Sequence, residues 1–123
     1  MRVLFDQATP VPLRRFLEGH VVRTAAQEEW DRLGNGELLD AAEAAGFDVL
    51  VTTDKNMRYQ QKLTGRKLSI VVLPRQQWPE LQMCVQAVVE AVNAATPGAY
   101  LEIEIAYDPA SYLDDVMEKP SSC

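Results

Sequence analysis

Residues 35–56 read NGELLDAAEAAGFDVLVTTDKN, and a change of rhythm inside them decides the architecture. Leu38, Leu39, Ala42 and Ala45 recur every three or four residues, which predicts a helix capped by Asn35 and stopped by Gly46. From Phe47 to Thr53 the chain is β-branched and almost continuously apolar, as in a strand buried on both faces of a parallel sheet. Asp54 follows at once. A helix running straight into a buried strand is half of a βαβ unit.

The same alternation extends to either side. Residues 2–5 (RVLF) predict a strand that ends at Asp6. Thr9 followed by Pro10 predicts the cap and first turn of a helix over 10–18, with Val11, Leu13, Phe16 and Leu17 apolar and Gly19 as its stop. Residues 21–24 (VVRT) read as a second strand, and 25–34 as a connection containing Trp30. Leu68 to Leu73 (LSIVVL) is another buried run. Pro79 to Ala95 predicts an amphipathic helix through Leu81, Val85, Val88, Val92 and Ala95. Tyr100 to Ile105 (YLEIEI) alternates, as a half-exposed edge strand does. These elements give a single-domain three-layer α/β sandwich with a mostly parallel central sheet over 1–106, and an acidic tail over 107–123.

With 12 Lys plus Arg against 18 Asp plus Glu, the net charge is −6. Such a chain does not coat itself non-specifically in nucleic acid. No apolar run has the length of a membrane span and the N-terminus has no export signal, so no membrane partner and a cytoplasmic location are expected. Cys84 and Cys123 give neither a disulfide framework nor a zinc spacing, and His20 is the only histidine. Any metal site would therefore be built of oxygen ligands.

In an open parallel sheet, ligands bind beyond the carboxyl ends of the strands, where strand order reverses. Asp6 and Asp54 each follow a strand, so both carboxylates should project from one edge, and Glu37 begins a helix at that edge. Three carboxylates in one crevice repel one another unless a cation neutralises them. Hard Mg²⁺ or Mn²⁺ suits such ligands, and can activate water and stabilise charge on a phosphodiester. Each acid also has a purely structural reading: Asp54 as an N-cap, Glu37 as a favourable charge in a first helical turn. Between Lys55 and Gln77 there is no acid but six bases. Lys55, Arg58 and Lys62 would line one helix face, either as a strip for the backbone of a nucleic acid or as a solvated surface.

Taken together, RVLFDQATPVPLRRFL (2–17), GHVV (19–22) and NGELLDAAEAAGFDVLVTTDKN (35–56) resemble the PIN-like family of small prokaryotic α/β proteins, relatives of the PIN-domain ribonucleases that act as toxins of toxin-antitoxin pairs. The resemblance covers about residues 2–75. It implies a Mg²⁺- or Mn²⁺-dependent endoribonuclease with Asp6, Glu37 and Asp54 as catalytic metal-binding acids, RNA as substrate and a cognate antitoxin protein as partner. A homodimer stays open. Relatives commonly carry further acids where this chain has Gln7 and Asn56. Asn56 could still offer its amide oxygen to the metal. The alternative is a weak or inactive module that binds RNA or a partner without cutting.

Overall fold

The computed structural model describes residues 1–57, 65–74 and 76–103. Arg58 and Lys62 of the expected basic strip, and the tail at 107–123, lie outside the described residues. Five strands form one sheet: β1 (Arg2–Phe5), β2 (Val21–Thr24), β3 (Val49–Thr52), β4 (Ser69–Val72) and β5 (Tyr100–Glu102). Every pairing is parallel and the spatial order is β2-β1-β3-β4-β5. The chain leaves β1 toward β2, then crosses back to place β3 on the other side of β1. That reversal opens a switch point between β1 and β3, beyond their carboxyl ends.

Strand side chains alternate between two apolar layers, as the period of two demands. Val3, Phe5, Val49, Val51, Val71 and Leu73 pack with Leu13, Leu17, Leu81, Val88 and Val92. Leu4, Leu50, Ile70 and Val72 pack on the opposite face with Leu38, Leu39, Ala42 and Met57. Residues flanking β1, β3 and β4 thus feed two cores at once, and each fully buried Leu or Val contributes about 1.5–3 kcal/mol. The three-layer α/β arrangement read from the sequence is the one observed. No helix among the described residues is long and apolar enough to cross a membrane.

Several local expectations are corrected. The helix expected over 10–18 is a six-residue 3-10 helix, Val11–Phe16, with Leu13 N–H donating to Pro10 O and Leu17 N–H to Arg14 O, both three residues back. Thr9 does not cap it; Pro10 takes that position without a side-chain bond. Helix α1 spans Asn35–Ala44 with Gly34 at the N-cap, so Asn35 lies inside the first turn. The expected helix over 79–95 is divided into α2 (Trp78–Leu81), a 3-10 turn (Gln82–Cys84) and α3 (Val85–Ala94). Its break falls at Cys84, where ψ opens to 9°, while Leu81, Cys84, Val88 and Val92 all stay in the core. β5 is an edge strand as expected, with Tyr100 and Leu101 half-buried and Glu102 exposed; residues 104 and 105 of that reading fall outside the described residues.

Arg66 ties the approach to β4 onto α1 through Asp40 Oδ1 at 2.9 Å and Glu43 Oε1 at 3.0 Å. Burial works against its charge, but the Glu43 and Asp40 carboxylates outweigh that and hold the guanidinium above its ordinary range.

Candidate functional site

A cavity of about 490 Å³ lies at the switch point, and Asp6, Asp54, Lys55 and Asn56 all line it. The register explains why the two acids meet. Phe5 pairs with Val51 across β1 and β3, and Asp6 donates its N–H to Val51 O at 3.1 Å. Asp6 therefore leaves the sheet level with the end of β3, close to where Asp54 emerges two residues after Thr52.

Both carboxylates are held by neutral donors. Thr9 Oγ1 donates to Asp6 Oδ1 at 2.6 Å and also lies 2.8 Å from Val51 O. The Thr52 hydroxyl donates to Asp6 Oδ2 and accepts the N–H of Asp54 at 3.1 Å. One buried hydroxyl thus spans the two acids, setting the carboxylate of the first and the backbone of the second. Asn35 Nδ2 donates to Asp54 Oδ2 at 2.7 Å, and Asn56 N to Asp54 Oδ1 at 2.9 Å. The last bond closes an Asx-turn over Asp54–Asn56. Each carboxylate oxygen keeps a second lone pair for another partner.

Glu37 stands apart. It is exposed, does not line the cavity, and its Oε1 accepts the N–H of the N-cap residue Gly34 at 3.4 Å. The expectation that three acids share one crevice is met by two of them. A third acid on the wall is Asp31, which lies in the connection after β2. Among the described residues, no group of three or more His, Cys, Asp or Glu side chains converges to hold a metal ion. Lys55, the one described residue of the expected basic strip, lines the cavity and is exposed.

The donor chemistry fits a hard divalent cation. Asp6, Asp54 and the Asn56 amide offer oxygen only, and Mg²⁺ needs no more than one or two carboxylates when water and a phosphate complete its sphere. It does not suit zinc, which prefers imidazole and thiolate.

Sequence reading missed the residues that hold the acids. Thr9 and Asn35 were both assigned to helix capping, and each serves a carboxylate instead. Thr52 is fully buried and is a polar residue ending an apolar strand beside an acid, which is the signal that could have found it. The lining also includes the apolar side chains of Ala25, Trp30, Leu33 and Leu38.

No family model, no curated protein and no solved structure matches the chain.

Proposed function

We propose that the cavity is a Mg²⁺- or Mn²⁺-dependent phosphodiesterase site and that the protein is an endoribonuclease of PIN-like type, acting as the toxin of a toxin-antitoxin pair. The observation that carries this reading is the pairing of Asp6 and Asp54 at the β1/β3 switch point, joined through Thr52. Asp6 and Asp54, with Asn56 beside them, would hold the cation, which supplies Lewis-acid activation of water and neutralises charge on the phosphate. Thr9 and Thr52 keep the Asp6 carboxylate aimed along one direction, and Asn35 does the same for Asp54, so neither acid must reorganise when substrate enters. Lys55 at the rim draws in the phosphate and offsets the negative field of the pair. Hydrolysis consumes one water and breaks one P–O bond, leaving a phosphate and a hydroxyl end.

The test is cleavage of a labelled single-stranded RNA in Mn²⁺ and in EDTA. Asp6→Asn and Asp54→Asn should lower the metal-dependent rate by about a hundredfold or more, as loss of an electrostatic group in such a site does. Glu37→Gln, whose amide oxygen can still accept the Gly34 N–H, should retain it. Unchanged cleavage by Asp6→Asn refutes the proposal. A second reading is a module that binds RNA or a partner protein without cutting. It is favoured by the neutral Asn56 and by Glu37 lying outside the cavity, and tight binding of RNA that stays intact in Mn²⁺ selects it.

A further inference from the structure

Five large apolar side chains are exposed among the described residues, and three of them, Val11, Phe16 and Met83, belong to the two segments that cover one face of the sheet. The 3-10 helix Val11–Phe16 buries Leu13 against that face, while α2, the 3-10 turn and α3 bury Leu81, Cys84, Val88 and Val92 in the same layer. The two segments meet where the rings of Phe16 and Trp78 lie 5.8 Å apart, tilted by 35°. Phe16 is 44% exposed and Trp78 half-buried, so this ring pair stays open to solvent.

Charge accompanies it. Arg14 and Arg15 directly precede Phe16 and are exposed, their helix carries no acid, and neither forms an ion pair among the described residues. In a chain of net charge −6, two adjacent unpaired bases beside exposed rings are a local exception. Apolar surface next to cations fits an acidic amphipathic segment whose apolar side chains recur every three or four residues.

The chain itself supplies such a segment. Ile103, the last described residue, donates its N–H to Val72 O at 2.9 Å and packs on the same apolar layer as Trp78. The chain therefore passes out of the described residues on that side of the sheet. Residues 104–123 carry five acids and one base. Within them 112–118 read YLDDVME, where Leu113, Val116 and Met117 have the spacing of one helix face and Asp114, Asp115 and Glu118 stand beside it. Twenty residues reach about 30 Å even if all were helical, roughly the diameter of a small domain, so reach sets no obstacle.

We propose that the surface made by Phe16 and Trp78, with the adjoining Arg14 and Arg15, is the docking site for residues 112–118 of the same chain. Leu113, Val116 and Met117 cover the two rings, and the neighbouring acids meet the arginines. The proposal holds whatever chemistry the Asp6 and Asp54 cavity performs.

The test is backbone hydrogen exchange of the full chain, with the β3 amides of Val49–Thr52 as the internal control for folding. Amides of 112–118 should exchange about tenfold or more slowly than those of a free peptide. Phe16→Asp should remove that protection, and so should Leu113→Asp combined with Val116→Asp. Arg14→Glu with Arg15→Glu should weaken it about threefold or more, and adding Asp114→Lys with Asp115→Lys should restore it, a rescue that general destabilisation does not produce. Free-peptide exchange of 112–118 in the wild type overturns the proposal. Protection that survives Phe16→Asp with β3 intact also overturns it, because the segment then docks elsewhere. Protection that rises over about a hundredfold range of protein concentration assigns the contact to a second copy and overturns docking within one chain. If Phe16→Asp unfolds the sheet, the Leu113→Asp, Val116→Asp variant decides: exchange at 11–17 and 78–84 should rise with it, and unchanged exchange there refutes the contact.

Discussion

Thr52→Val is the substitution that most directly probes how the acid pair is built. Valine keeps the β-branched shape that the end of β3 requires, so the sheet register from Thr52 to Val72 is not disturbed. What disappears is one hydroxyl with two partners: the Asp6 carboxylate loses a donor, and the Asp54 N–H loses its acceptor. Thr52 is fully buried, and no buried side-chain nitrogen or oxygen among the described residues lacks a partner, so the variant would introduce a defect where there is none. A hydrogen bond to a charged group is worth about 1.5–3 kcal/mol, and the gain from the added methyl group, about 0.8 kcal/mol, offsets part of it. The expected net loss is about 1.5 kcal/mol, read as a lower urea midpoint with an unchanged slope. Mn²⁺ affinity should fall about tenfold, because the substitution frees the Asp6 carboxylate to rotate. Thr52→Ser separates the two effects: it gives up a methyl group, costing about 1 kcal/mol, but keeps the hydroxyl and with it the Mn²⁺ affinity. If Thr52→Val lies within 0.5 kcal/mol of wild type, on the order of a neutral surface change, and binds Mn²⁺ as well, the hydroxyl does not organise the site.

Other expectations follow from single contacts. Leu50→Ala, at the fully buried centre of β3, should cost about 3 kcal/mol in urea unfolding. Gly98→Ala should cost about 2 kcal/mol or more, since its φ is +78° and a Cβ would stand 2.8 Å from Arg66 O. Gly19→Ala, with φ of +83° but open space around it, should cost only the backbone penalty of about 1 kcal/mol; equal losses at the two glycines would show that the close approach at Gly98 is absent. Arg66→Met should destabilise by about 1 kcal/mol, because Asp40 is 74% exposed and its share of the pairing is weakened by solvent. Part of that loss should vanish when both proteins are compared in about 1 M salt.

The strands were legible because their burial leaves few alternatives. A run such as Val49 to Val51 feeds both cores, and a short β-branched run apolar on both faces fits a central strand of a parallel sheet. The parallel arrangement and the layer count followed from alternation alone. The helices were read less well, for reasons that lie in their backbones. Leu81, Val85, Val88 and Val92 keep helical spacing whether or not the helix is continuous, so the break at Cys84 leaves no trace in the pattern. Likewise, a Thr-Pro pair and an Asn before a helix are common caps, yet at Thr9 and Asn35 the side chains turn to carboxylates that only the tertiary fold brings near.

The same distinction separates Asp6 and Asp54 from Glu37. The first two are positioned by sheet register: Asp6 is one residue beyond a pair in β1 and β3, Asp54 two beyond β3, and parallel strands that start in register end together. No side-chain freedom is needed to bring their backbones to one edge. Glu37 is placed by a helix start, and at that start the backbone N–H of Gly34 offers a carboxylate something nearer than the cavity. At 3.4 Å that bond is longer than an ordinary one of 2.7–3.2 Å, and it is exposed, so it holds Glu37 weakly. On the proposed reading, a cation drawn to Asp6 and Asp54 would meet two acids already in place, and the rest of its sphere would come from water, the Asn56 amide, Asp31 or a phosphate. On that footing affinity for the metal alone should be modest and should rise when a nucleotide binds, because the two would then share one site and each would complete the other.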